Sequence, residues 1–130
     1  MELVTQAGLI CLAMNVYHEA RSEPTLGQVA VAEVTMNRTD SDRYPDKVCD
    51  VVWQRRQFSW THDGKSDTPR DADAWAEAQR IAMMVAGSRD VSFVDAEMTH
   101  YHANYVSPYW AESYEQVAVV GAHIFYKQKG

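Results

Sequence analysis

Apolar residues recur every three or four positions over much of this chain, and short polar breaks separate the runs. Leu3, Ala7, Ile10, Met14 and Tyr17 mark one face of an amphipathic helix over residues 2–20. Pro24 blocks simple continuation and biases Glu23 away from helical angles. A second helix starts near Pro24, a good first-turn residue, and runs to about residue 38. Leu26, Val29, Ala30, Val31, Ala32, Val34 and Met36 cover most of its circumference, so it is expected to be central, with neighbours on several sides. Residues 39–45 read as a polar loop, and residues 46–54 as a short helix with Val48, Val51 and Val52 inward. Within residues 54–64, Phe58 and Trp60 alternate with polar residues, as in a short strand or extended loop. Thr68, Pro69 and Asp71 open a third long helix, with Thr68 as its cap, a buried stripe of Ala74, Trp75, Ala78, Ile81, Ala82 and Val85, and Gly87 as its end. Residues 90–94 read as a brief strand or loop and residues 98–106 as a strand. Residues 111–129 read as a short helix followed by a strand-like end. The composite is a mostly helical α+β domain with one small β element, not an alternating βαβ pattern.

A chain of 130 residues makes one domain of common size, 1–130, able to bury a core. Its net charge of −6 argues against nucleic acid as a partner, because such binders carry basic patches. The uncharged run from Leu3 to Tyr17 is too short and too polar to insert in a membrane. It also lacks the basic flank and cleavage site of a signal peptide, so the fold is expected to begin directly and without an export signal. Of the two cysteines, Cys11 sits in an apolar helical stretch and reads most simply as a small core residue; a pairing with Cys49 stays open.

Candidate chemistry starts at residues 16–24, V-Y-H-E-A-R-S-E-P. The break at Pro24 leaves Glu19 in the last turn of the first helix and Glu23 in the connection. Negative charge at a helix C-terminus is disfavoured by the helix dipole, and burial acts in the same direction, so Glu19 suits a carboxyl that must be protonated near neutral pH. A lone glutamate at a helix end is otherwise a solvated surface residue. Glu33 falls inside the apolar arc of the second helix. The plainer reading pairs it with Arg21 or Arg38 or sends it to a rim, and the sharper one makes it a second site carboxylate.

His100 and His102 form H-x-H on the expected strand and would share a face, a spacing that can present two metal ligands, with His62, His18 or Asp63 as a third. Cleft-lining or hydrogen-bonded histidines are the plainer reading, and no metal or cofactor is expected. Trp53, Phe58 and Trp60 form one aromatic cluster, and Tyr101, Tyr105, Tyr109 and Trp110 another. Interleaved with Gln54, Gln57, Ser59, Asn104 and Ser107, they suit a groove that stacks on sugar faces and hydrogen-bonds hydroxyl and acetamido groups.

The string Y-H-E-A-R-S-E-P-T-L-G-Q-V-A-V-A-E-V-T-M-N-R, residues 17–38, resembles the signature of the SleB-type, spore-cortex-lytic cell-wall hydrolases. Further blocks follow in order: Pro45, residues 49–54, Gln57-Phe58-Ser59, T-H-Y-H-A at 99–103, Pro108-x-Trp110, and G-A-H-I-F-Y at 121–126. Departures fall at His18 and Ser22, where the family often has glycine, and at Glu33, where it usually has a small or apolar residue. The resemblance implies a compact, lysozyme-like catalytic domain that cleaves the β-1,4 link between N-acetylmuramic acid and N-acetylglucosamine in peptidoglycan glycan strands. It implies a lytic transglycosylase with 1,6-anhydro-muramoyl products, and its catalytic glutamate maps onto Glu19. Glu23 or Glu33 would serve as second carboxylate if the reaction used water instead. Phe58, Ser59, Trp60, His100, Tyr101 and His102 are the expected substrate-binding residues. Two rivals are a metal-dependent wall amidase using His100 and His102, and a non-enzymatic peptidoglycan-binding module. The single-domain format further resembles a phage endolysin, made as a monomer in the host cytoplasm and released to the periplasm to lyse the cell.

Overall fold

The computed structural model describes residues 4–54, 58–61, 63–88 and 94–129. Four helices, α1 (Gln6–Ala20), α2 (Thr25–Thr39), α3 (Val48–Val52) and α4 (Ala72–Gly87), pack beside a three-stranded antiparallel sheet of β1 (Met98–Ala103), β2 (Tyr114–Val120) and β3 (His123–Gln128). The strand order is β1-β3-β2. Short 3-10 turns occupy Ser59–Thr61 and Tyr109–Ser113.

As expected, α2 is central: every residue from Gly27 to Met36 is buried, and Asn37 and Arg38 with them. Leu26 is the exception, more than half exposed, because it precedes the point where α2 enters the core. One core cluster joins Leu12, Val16 and Tyr17 of α1 to Val29 and Met36 of α2, Val48 and Val52 of α3, and Ala78, Ile81, Ala82 and Val85 of α4. A second joins Ala20, Ala30, Val31 and Val34 to Met98 and Phe125 of the sheet. The end of α1 therefore lies where the helical and sheet-facing cores meet.

Several expectations need correction. The first helix begins at Gln6, because the Thr5 hydroxyl accepts from Gly8 N and caps it. Its buried face runs through Leu12, Ala13, Val16 and Ala20; Ile10 of the expected stripe is exposed, since an uncharged run permits more than one apolar face. Asp71, not Thr68, caps α4, its carboxylate accepting from Ala74 N at 3.1 Å. Ser59–Thr61 form a 3-10 turn and not a strand or extended loop, and Phe58 and Trp60 are both buried there. Residues 114–129 form a hairpin, not a helix and one strand; Gly121, at φ +56°, makes its turn. Cys11 and Cys49 form a disulfide that fastens α1 to α3, so Cys11 is not a free core thiol. Residues 90–93 of the expected strand or loop fall outside the described residues, as do Gln57 and His62.

Candidate active site

The C-terminal turn of α1 opens into a cleft of about 990 Å³. Tyr17, His18, Glu19, Arg21 and Ser22 line one side; Trp60 and residues from Asp63 to Asp71 line the other, with Tyr105 at the rim. Glu19 is partly exposed to this space. Behind it, the Tyr101 hydroxyl of β1 donates to Glu19 Oε1 at 3.0 Å. Burial raises the Glu19 pKa; the Tyr101 hydrogen bond and the Arg38 charge oppose this, and the net direction is up. Burial and the Glu19 charge push the Tyr101 phenol well above its ordinary range, so it remains a protonated donor.

Supporting residues hold this pair in place. Tyr101 packs between Phe58 and Phe125. Arg38 donates through Nε to Thr99 O at 2.8 Å, and its guanidinium lies over the Tyr44 and Phe58 rings. Trp60 donates from Nε1 to Asn15 Oδ1 at 2.8 Å, and Asn15 Nδ2 donates to Thr35 Oγ1. The ring of His18 stacks on Trp60 at 4.5 Å. Asn15 is fully buried, and a buried amide with both ends bonded fixes its neighbours more firmly than an apolar contact does. Asn15 and Arg38 were not singled out as site residues from the sequence. The available signals were a polar residue on an apolar helix face one turn before Glu19, and the arginine closing the 17–38 string.

Of the expected site residues, the structure brings together Glu19, Tyr101, Trp60 and Phe58, the last beneath Tyr101. The side chain of Ser59 lies outside the described residues. Glu23 does not line the cleft: its Oε1 accepts from Ala122 N at 2.6 Å and lies 3.3 Å from His123 Nδ1, tying the α1–α2 connection to the hairpin turn. Glu33 is 1% exposed, which removes it from any rim and from the cleft wall.

His100 and His102 share a strand face, as expected, but it is the face opposite Tyr101. His100 packs against Tyr114 and Trp110, and His102 against Tyr126 and Trp110. His102 Nδ1 sits 2.8 Å from Ala103 O and must donate to it, so Nε2 accepts from the Tyr126 hydroxyl at 2.8 Å. Burial, then the Arg38 and Arg43 charges, push the His100 pKa down to about 4. His100 lines a separate depression of about 430 Å³ with Tyr44 and Tyr114. Among the described residues no three His, Cys, Asp or Glu side chains group as metal ligands.

A family model described as cell wall hydrolase matches residues 22–126. The chain belongs to the cell wall hydrolase family. Among curated proteins, this cell wall hydrolase is 32% identical over 114 residues to a spore cortex-lytic enzyme of Halalkalibacterium halodurans, covering 88% of the chain and 33% of the relative. It is 30% identical over 124 residues to the spore cortex-lytic enzyme of Bacillus cereus, covering 95% of the chain and 45% of the relative. The chain thus spans less than half the length of these relatives. Among solved structures it matches the catalytic domain of the germination-specific lytic transglycosylase SleB from Bacillus anthracis, with a TM-score of 0.79 and 30% identity over 95% of this chain and 96% of that one. The catalytic domain of the Bacillus cereus SleB protein also matches at a TM-score of 0.79, with 29% identity over 95% and 92% of the two chains. These matches bear out the mostly helical, lysozyme-like α+β fold. The matched family range of the hydrolase begins just after Glu19, so the weight on Glu19 comes from its motif and from the geometry above.

Proposed function

We propose that the chain cleaves the β-1,4 bond between N-acetylmuramic acid and N-acetylglucosamine in peptidoglycan, as a lytic transglycosylase. The observation that carries this reading is Glu19: a carboxyl with a raised pKa at the wall of an open cleft, one oxygen held by Tyr101. Likeness to the SleB catalytic domains supports the choice of bond and substrate.

Protonated Glu19 gives its proton to the leaving glycosidic oxygen as the bond to the muramoyl anomeric carbon breaks. Positive charge develops on the muramoyl ring. The Glu19 carboxylate then takes the proton of that sugar's C6 hydroxyl, whose oxygen bonds to the anomeric carbon. No water is consumed, the acid is regenerated, and the product is a 1,6-anhydro end. The Tyr101 hydroxyl stabilises the carboxylate formed midway.

A water-using muramidase needs a second carboxylate at about 5–5.5 Å for retention or about 6.5–9.5 Å for inversion. Glu23 spends an oxygen on the hairpin turn, and Glu33 is enclosed. Asp63 and Asp71 do line the cleft, but each has an oxygen engaged by a local backbone N–H, of Lys65 and Ala74 respectively. The metal-amidase alternative would have to take His100 and His102 from the Thr99, Tyr44, Ala103 and Tyr126 groups that face their ring nitrogens.

Glu19→Gln keeps the shape and the acceptor for Tyr101 but cannot donate a catalytic proton. Clearing of purified peptidoglycan should fall by about 10²–10⁴-fold, the usual worth of a general acid. Clearing at a near wild-type rate would remove Glu19 from the mechanism.

We place the reaction on the wall side of the cytoplasmic membrane, in host-cell lysis. The Cys11–Cys49 disulfide supports an oxidising compartment. Directed to the periplasm, the wild-type chain should collapse culture turbidity and Glu19→Gln should not.

A further inference from the structure

The residues facing Glu19 across the cleft include two cations for which the glycan offers no use. Lys65 and Arg70 line the cleft and are exposed. Among the described residues neither side chain has a hydrogen-bond or ion-pair partner. The acids on the same rim are partly occupied: Asp63 accepts from Lys65 N and Asp71 from Ala74 N.

The segment carrying these cations is fastened to the turn that carries Glu19. The N–H groups of Arg70 and Asp71 both donate to the Tyr17 hydroxyl, at 3.1 and 3.0 Å. His18 donates from Nε2 to Asp67 O at 2.8 Å. Tyr17 and His18 immediately precede Glu19 in the chain. Three hydrogen bonds therefore fix the backbone of the segment that carries Arg70 relative to the acid.

Where the muramoyl lactyl carboxyl is closed as an amide to the stem peptide, the N-acetylated sugars themselves carry no charge, and aromatic rings and amides suffice to bind them. Two exposed cations on the wall of a glycan cleft, without an internal partner among the described residues, are available to an anion on the substrate. In peptidoglycan the nearest anions are the carboxylates of the peptide on the muramoyl lactyl group. A chain of net charge −6 has no long-range attraction for such a strand, so any charge recognition must be local.

We infer that Arg70 and Lys65 bind carboxylates of the acidic stem peptide, and so make the enzyme prefer strands whose stem peptides keep free carboxylates over strands whose stem carboxylates are amidated. This deepens the proposed glycan cleavage and rests on it. Arg70, with its planar fork of donors, is the stronger contact, and Lys65 acts as a point charge.

The test compares cleavage rates on peptide-bearing glycan strands and on the same strands after their stem-peptide carboxylates are converted to amides with carbodiimide and ammonia. Wild type should favour the strands with free carboxylates by roughly fivefold, the scale of an exposed ion pair with partial geometry. In Arg70→Ala and Lys65→Ala together, the ratio should fall towards one, and Arg70→Lys should restore part of it. A wild-type ratio of one overturns the inference while leaving the cleavage reading intact. A variant that loses rate equally on both substrates, keeping the wild-type ratio, also overturns it, because that is the signature of a merely structural role. Wild type that releases nothing from either substrate overturns the cleavage reading and this inference together.

Discussion

The Tyr101 hydroxyl donates to Glu19 Oε1 at 3.0 Å across 82 residues of sequence, joining the end of α1 to β1. This bond favours the Glu19 carboxylate while burial favours the acid, and burial prevails. Tyr101→Phe removes the lowering influence, so the Glu19 pKa should rise further. If Glu19 acts first as an acid, kcat falls on the alkaline side as Glu19 ionises, and in Tyr101→Phe that limb should move to higher pH. The carboxylate formed midway also loses its donor, so kcat should drop more than KM changes. A pH–rate profile checks both; a limb that stays in place would show that Tyr101 does not tune this carboxyl.

Glu19 should also cost stability. Its folded pKa lies above the unfolded one, so its unfavourable effect is absent below the unfolded pKa, where both states are protonated, and fully present once pH exceeds the folded value. Glu19→Gln should therefore melt above wild type at pH 7, and the gap should close as pH falls to roughly 4, near the ordinary glutamate range. Thermal melts at the two pH values decide this. An unchanged gap would mean that Glu19 ionisation is not what destabilises the fold.

Glu23 is expected to serve the fold. Its carboxylate holds Ala122 N, and Gly121 leaves it room: a Cβ there would run into Glu23 Oε1. Glu23→Ala should cost about 1–3 kcal/mol, the scale of a broken, largely buried hydrogen bond to a charged group. Activity per folded molecule should stay near wild type. Denaturant unfolding read beside a peptidoglycan assay separates this from a catalytic role, in which activity would vanish at unchanged stability.

The disulfide closes a loop with a sequence separation of 38 residues. Chain-entropy reasoning assigns such a link about 4 kcal/mol. Reduction, or Cys49→Ser, should lower the melting temperature strongly, and it acts on the helix that carries Glu19. Melts with and without reductant measure it.

The helices were legible in the sequence because a 3.6-residue period survives even where the buried face is misjudged, as at Ile10. The position of Glu19 at a helix end was legible through Pro24. The hairpin was not. A bulge between Gln116 and Ala118 breaks the two-residue alternation that announces a strand. The H-x-H spacing correctly puts both histidines on one face, yet a period of two cannot say which face meets the cleft. Trp60 and Asn15 lie 45 residues apart, and their bond exists only after α1 packs against the 3-10 turn. Cys11 and Cys49 likewise meet only through the packing of α1 on α3.

The central claim is a one-carboxyl, water-free cleavage, and mass spectrometry of the released muropeptides, made in ¹⁸O-labelled water, tests it most directly. The account predicts 1,6-anhydro-muramoyl ends, lighter by one water than the hydrolysed product and free of label. Reducing muramic acid ends carrying ¹⁸O would contradict it and return the search to a second carboxylate.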